Sequence, residues 1–186
     1  MGNVCTNSNA IQTDDTSNPV RVTGNNKIHT LIRNPTSKEE FEEKNFKSTM
    51  LDLHNELRKK YNSPELKVND DLNLIAEEYA KNLTLNEKNI INIYNETYLG
   101  ENVVITEKKN DAKEIFAKWS EESQKYDFEK NKFSKNTGHI TQIIWKETKE
   151  IGIGFSYNKV NKQFCTVILY YPPGNILGEF AKNVSN

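Results

Sequence analysis

Two β-rich runs, IGIGFSY (151–157) and QFCTVILYY (163–171), constrain the fold more than any other feature of the chain. The polar stretch 158–162 is all that separates them, so they read as antiparallel neighbours joined by a hairpin. Pro172-Pro173 ends the second run, because proline has no N–H to give to a ladder. Gly152 and Gly154 fall on one face of the first strand and leave room there for a bulky element. The expected occupant is the helix that carries Trp145. Tyr170 alternates with Leu169, so one is expected to point inward and the other outward.

Helical periodicities surround this hairpin. Ser37 and Glu40 fit a capping box, and behind them Phe46, Met50, Leu53 and Leu57 recur on one helical face. A second helix starts near Asp70 or Asp71, with Leu72, Ile75, Ala76, Tyr79, Ala80 and Leu83 as its apolar stripe. Residues 84–98 read as a loop, and GENVVIT (100–106) as a short strand. Asp111 and Glu114 form another capping signal, opening a helix through Ile115, Trp119 and Tyr126. A charged loop, 127–137, follows, and Ile140, Ile143, Ile144 and Trp145 then suit a short amphipathic helix. The order helix, helix, strand, helix, helix, hairpin is α+β, with helices packed on a central antiparallel sheet.

Composition bounds the function. With 186 residues and 35% hydrophobic side chains, the chain suits one domain with a tail. Residues 1–36, rich in Asn, Thr and Ser, read as a disordered tail, and 37–186 as the domain. Twenty-five basic side chains balance 26 acidic ones, and no basic stripe marks a nucleic-acid surface. Cys5 and Cys165 lie far apart in sequence, so a disulfide framework is not expected and a reducing compartment is. No apolar run is long enough to span a membrane, and no secretory signal is expected. The start MGNVCT instead matches M-G-x-x-x-[ST], a myristoylation pattern on Gly2. One myristoyl chain binds membrane only marginally, with K of about 10⁴ M⁻¹, so a palmitate on Cys5 is the expected second anchor.

Four stretches then line up: HNELR (54–58), GENV (100–103), GHITQIIWKET (138–148) and YYPPGNI (170–176). In order and spacing they resemble the CAP superfamily of cysteine-rich secretory proteins, venom antigens and plant pathogenesis-related proteins. The resemblance covers residues ~40–182 and implies a three-layer α-β-α sandwich with a mainly antiparallel sheet. It extends to a branch of the family that begins Met-Gly, lacks the signal peptide and disulfides, and sits on the cytosolic face of Golgi or plasma membranes through myristate. It implies partners among sterols, fatty acids or acidic phospholipids, and self-association as a homodimer.

The resemblance also implies a cleft lined by two histidines and two glutamates that can take a divalent metal. Glu101, Glu122 and His139 match three of the four, while no histidine stands between positions 55 and 138, where Asn92 or a neighbour takes the fourth place. One imidazole and two carboxylates suit harder ions more than zinc, so no obligatory cofactor is expected and metal binding is expected to be weak or absent. At the start of a helix the dipole disfavours a cationic His139, whereas two carboxylates favour it. His54, Asn55, Arg58, Asn102, Gln142, Trp145, Tyr170, Gly174 and Asn175 are the motif residues expected to have structural roles. HNE is not H-E-x-x-H, so no zinc-protease signature is present. Trp119 and Trp145 are assigned to packing, and Cys165 to a buried apolar position.

Three functional readings follow. The preferred one is an acylated peripheral membrane protein that binds lipid or a protein partner without catalysis. The second is a metal-assisted hydrolase using His139, Glu101 and Glu122. The third is a secreted interaction protein, for which Asn82, Asn95 and Asn183 stand in glycosylation sequons.

Overall fold

The sheet is built on the predicted hairpin. In the computed structural model, which describes residues 38–85, 99–107 and 111–186, the strands β3 (Glu150–Asn158) and β4 (Gln163–Tyr171) pair antiparallel. Their register sets Gly154 opposite Val167 and Ile151 opposite Tyr170. The predicted GENVVIT strand is β2 (Gly100–Thr106), which pairs antiparallel with β4. A two-residue strand that the sequence analysis missed, β1 (Lys67–Val68), joins the far edge in parallel with β3. The sheet order is β1-β3-β4-β2.

Helices cover both faces. α2 (Asp70–Leu85) lies on one, where Ala76 and Ala80 meet Val103, Cys165, Val167 and Leu169. The other face carries α1 (Lys38–Lys60), α3 (Ala112–Ser120), α4 (Gly138–Ile143) and the short α5 (Phe180–Asn183). Its core includes Met50, Ile115, Trp119, Ile143, Trp145, Ile153, Ile168 and Tyr170. Fully burying an aliphatic side chain of this size contributes roughly 1.5–3 kcal/mol, so two covered faces make the sheet the centre of stability. No helix among the described residues is long and apolar enough to cross a membrane.

Four expectations need correction. Tyr170 and Leu169 do point to opposite faces, but both are buried, because each face has its own helical cover. The element against Gly152 and Gly154 is α2: a β-carbon on Gly152 would lie 2.3 Å from the Leu72 carbonyl carbon, and one on Gly154 would lie 2.1 Å from that of Ala76. The helix opened by Asp111 stops at Ser120 and passes into a 3-10 turn, Glu121–Gln124, so Tyr126 enters the core from beyond it. All six residues of α4 are buried, so this helix is enclosed rather than amphipathic. The Asp111–Glu114 capping box is present in both directions. The Ser37 cap and most of the predicted 84–98 loop lie outside the described residues, as does the predicted tail.

Candidate functional site

A six-residue helix with no exposed face needs its terminal amides and carbonyls answered from elsewhere. The motif residues do this for α4. At its start, Glu122, held in the 3-10 turn after α3, accepts from the backbone N–H of His139 (3.1 Å) and of Ile140 (3.2 Å). The same carboxylate accepts from His139 Nδ1 at 2.6 Å. Trp119 stacks on the His139 ring, centroids 5.6 Å apart and planes 17° from parallel. The pair is enclosed, with side-chain exposures of 6% for His139 and 14% for Glu122.

At the other end, Arg58 from α1 is completely buried. Its guanidinium donates to the carbonyls of Pro64 (2.6 Å), Ile143 (2.7 Å), Trp145 (2.9 Å) and Thr148 (2.9 Å). Burial lowers its pKa to about 10, which leaves it a cation at neutral pH. A cation at a helix C-terminus is favoured by the helix dipole. Asn55 anchors the following loop by bonding both the N–H and the C=O of Leu66.

The side of α4 is fastened as well. Asn175, in a left-handed conformation (φ 57°), donates to Gly138 O and accepts from Thr141 Oγ1. Gln142 accepts from the Gly174 N–H at 2.9 Å, and its amide fills the space that a side chain at Gly100 would occupy. Asn102 donates to His139 O and to the Tyr170 hydroxyl. Trp145 meets Phe180 edge to face at 5.1 Å.

His54 completes this network. Its Nδ1 lies 2.7 Å from Met50 O, which only accepts, so Nδ1 carries the proton. Nε2 is then an acceptor for the Tyr170 hydroxyl at 2.8 Å, and that hydroxyl accepts from Asn102. Burial lowers the His54 pKa from 6.5 to about 4, and the nearby Arg58 charge adds to that lowering. The folded state therefore holds fewer protons than the unfolded state between these values, and stability falls with falling pH. We expect a loss of about 3 kcal/mol as pH drops from ~6.5 to ~4, and none above that window. Proton NMR tests this: a His54 ring that titrates near 6.5 in the folded protein would refute the assignment.

Glu101 does not join His139 and Glu122. It stands in register with Leu169 on the α2 face of β2, where the Tyr79 hydroxyl donates to its carboxylate. Burial raises the pKa of Glu101, against the lowering effect of that bond. The sheet thus separates the two acids that were expected to share a pocket. Among the described residues no group of three His, Cys, Asp or Glu side chains is placed to hold a metal. Glu122 already has both oxygens engaged and Glu101 stands across the sheet, so the described residues bring no three donors together at His139; position 92 lies outside them. Tyr79 was read only as part of an apolar stripe, and nothing in the spacing marked it as the partner of Glu101. Thr148, which bonds the Pro172 carbonyl and receives Gln142, was also missed. Cys165 is fully buried, and burial raises its thiol pKa to about 12, as suits an inert core residue.

Sheet and helical layers define an α+β sandwich with two apolar cores and a buried polar network around α4. Residues 51–170 match the cysteine-rich secretory protein family, CAP, and the chain belongs to that family. It is 33% identical over 146 residues to the human (Homo sapiens) Golgi-associated plant pathogenesis-related protein 1, covering 76% of this chain and 93% of that one. Among solved structures, NaASP2 with Zn²⁺ aligns with a TM-score of 0.60 at 21% identity, over 76% of this chain and 86% of that one. Venom allergen-like protein 4 of Schistosoma mansoni aligns with a TM-score of 0.56 at 22% identity, over 68% and 87% respectively.

Proposed function

We propose that this chain is a peripheral membrane CAP protein, acylated on Gly2 and Cys5, that binds lipid or a protein partner and does not catalyse a reaction. The observation that carries the reading is the condition of the Glu122–His139 pair. Three hydrogen bonds from His139 and Ile140 commit the carboxylate to closing α4. A general base needs a free lone pair within reach of a substrate proton; the carboxylate is engaged inside the fold, and the His139 ring it holds is only 6% exposed. What remains for function is a rigid domain with its outer surfaces, and an N-terminus that can tether it.

The M-G-x-x-x-[ST] pattern with Cys5 supports the tether and a cytosolic membrane face, and the name of the human Golgi-associated relative supports the Golgi as its place. The folded domain weighs against a glycosylated secreted form. Asn183 is fully buried and bonds the Glu147 N–H and Glu179 O. Asn82 is 8% exposed, and its sequon partner Thr84 is buried. Asn95 lies outside the described residues.

Membrane flotation from expressing cells tests the proposal. The wild-type chain should float with membranes, Gly2→Ala should remain in the soluble fraction, and Cys5→Ser should shift most of the protein there, since one myristoyl chain gives only marginal binding. A Gly2→Ala variant that floats as well as wild type would overturn the tether.

A further inference from the structure

We infer that the tip of the β3–β4 hairpin, residues 157–162, is a membrane-contact site that inserts Val160 into an anionic bilayer between Lys159 and Lys162. This rests on the peripheral-membrane reading above and assigns it a surface.

Val160 is 93% exposed, the highest value among the exposed large hydrophobic side chains of the described residues. Turn chemistry explains why a hairpin forms here, but it asks for no apolar residue at the crest. Tyr157, just before the turn, is 41% exposed, and Leu85, next to the Thr84 that the turn bonds, is 45% exposed. Lys159 and Lys162 flank the valine, Lys81 lies one turn before Leu85, and the stretch 155–164 contains no acid. An apolar crest with an amphipathic aromatic and flanking lysines suits the boundary between headgroups and acyl chains.

The tip is also held stiffly. Asn158 and Asn161 both donate to the carbonyl of Thr84, at 2.7 and 2.9 Å, which fastens the turn to the C-terminus of α2. Beneath it an aromatic ladder runs from α1 outward: Phe46 to Phe155 (5.7 Å), Phe155 to Phe164 (6.0 Å) and Phe164 to Tyr157 (4.2 Å). A crest braced in this way loses little conformational freedom on entering a bilayer.

The same ladder fixes which end of the sandwich this is. Phe46 lies level with Phe155, whereas His54 meets Tyr170 and Arg58 meets Thr148. Going back along α1 from Phe46 therefore leads toward the hairpin tip, and its first residue, Lys38, is about 12 Å further on. The N-terminal tail joins the domain at the end where Val160 projects, so the tip can meet a bilayer that holds the acyl chains without the tail crossing the domain. Acids stand at this end too. Glu43 pairs with Lys47, and Glu42 on α1 and Glu107 after β2 carry further negative charge. Attraction to anionic lipid therefore rests on the hairpin lysines.

The test uses the full acylated chain and vesicles of phosphatidylcholine with and without 30% phosphatidylserine (about that fraction gives a strongly negative surface). Both native tryptophans are buried, Trp119 and Trp145 at 3% and 0%, so a tryptophan placed at position 160 reports its own depth. In Val160→Trp, brominated acyl chains should quench the added fluorescence on anionic vesicles. In Leu177→Trp, in the segment after β4 at the opposite end, they should not. Lys159→Glu with Lys162→Glu should lower partitioning onto anionic vesicles more than ~10-fold and leave neutral vesicles unaffected. Vesicle-bound chain without quenching at 160, or with equal quenching at 177, would overturn the insertion and leave the membrane reading standing. Acylated chain that stays off both vesicles would overturn both.

Discussion

Arg58→Ala is expected to leave no cooperatively folded protein at 25 °C. The wild-type guanidinium is completely buried, and its partners are four main-chain carbonyls from Pro64, Ile143, Trp145 and Thr148. Removing it leaves a void and three of those acceptors without a donor, since Trp145 O keeps the Thr148 N–H. Each orphaned buried acceptor costs about 1–3 kcal/mol, and the void adds a cavity term. The sum reaches the ~5–15 kcal/mol by which an ordinary domain is stable at all. Arg58→Lys keeps the charge but has a point-like ammonium in place of a planar fork, so it should satisfy fewer of the carbonyls and lose about half as much. Urea unfolding followed by circular dichroism measures both. An alanine variant with a midpoint near that of wild type would show that the carbonyls find water, and the account of α4 as an enclosed, bonded helix would fail with it.

The second large effect is expected at Gly154. A β-carbon there would sit 2.1 Å from the carbonyl carbon of Ala76 and 2.2 Å from its oxygen. These are backbone atoms of α2, so no side-chain rotation relieves the overlap, and the helix itself must move off the sheet. Overpacking costs typically 1–3 kcal/mol when side chains can give; here we expect at least ~3 kcal/mol for Gly154→Ala. Gly152→Ala, which meets Leu72 in the same way, should bring the double variant close to unfolded. Replacing glycine in a strand should gain roughly 0.5–1 kcal/mol of backbone entropy, so a loss of stability isolates the steric term. Gly178→Ala is the contrast, with nothing within 4 Å but a φ of +89°. It should cost only about 1–2 kcal/mol, from the left-handed backbone alone. Comparable losses at Gly154 and Gly178 would refute close packing of α2 as the cause.

These two sites show which kinds of information the sequence carries. The hairpin, GENVVIT, the stripe of α2 and the Asp111–Glu114 cap were legible because each is a local pattern, set by the two-residue strand repeat, the 3.6-residue helix repeat or side-chain capping. Four motifs in register were enough to anticipate the family and the sandwich. The glycines of β3 announced that something approaches closely, but not that it is α2 and not the Trp145 segment, because periodicity names a face without naming its partner. β1 went unseen because two residues carry no period.

The candidate site divides along the same line. The chain alone determined which residue types were at hand: an imidazole at 139, acids at 101 and 122, a short apolar helix between loops. Tertiary structure alone decided that Glu122 closes α4 while Glu101 turns to Tyr79 across the sheet. The physical reason is that adjacent strand residues point to opposite faces. Glu101 takes the α2 side by the same alternation that gives Asn102 the α4 side, and which face a cleft residue shares depends on helices far away in sequence.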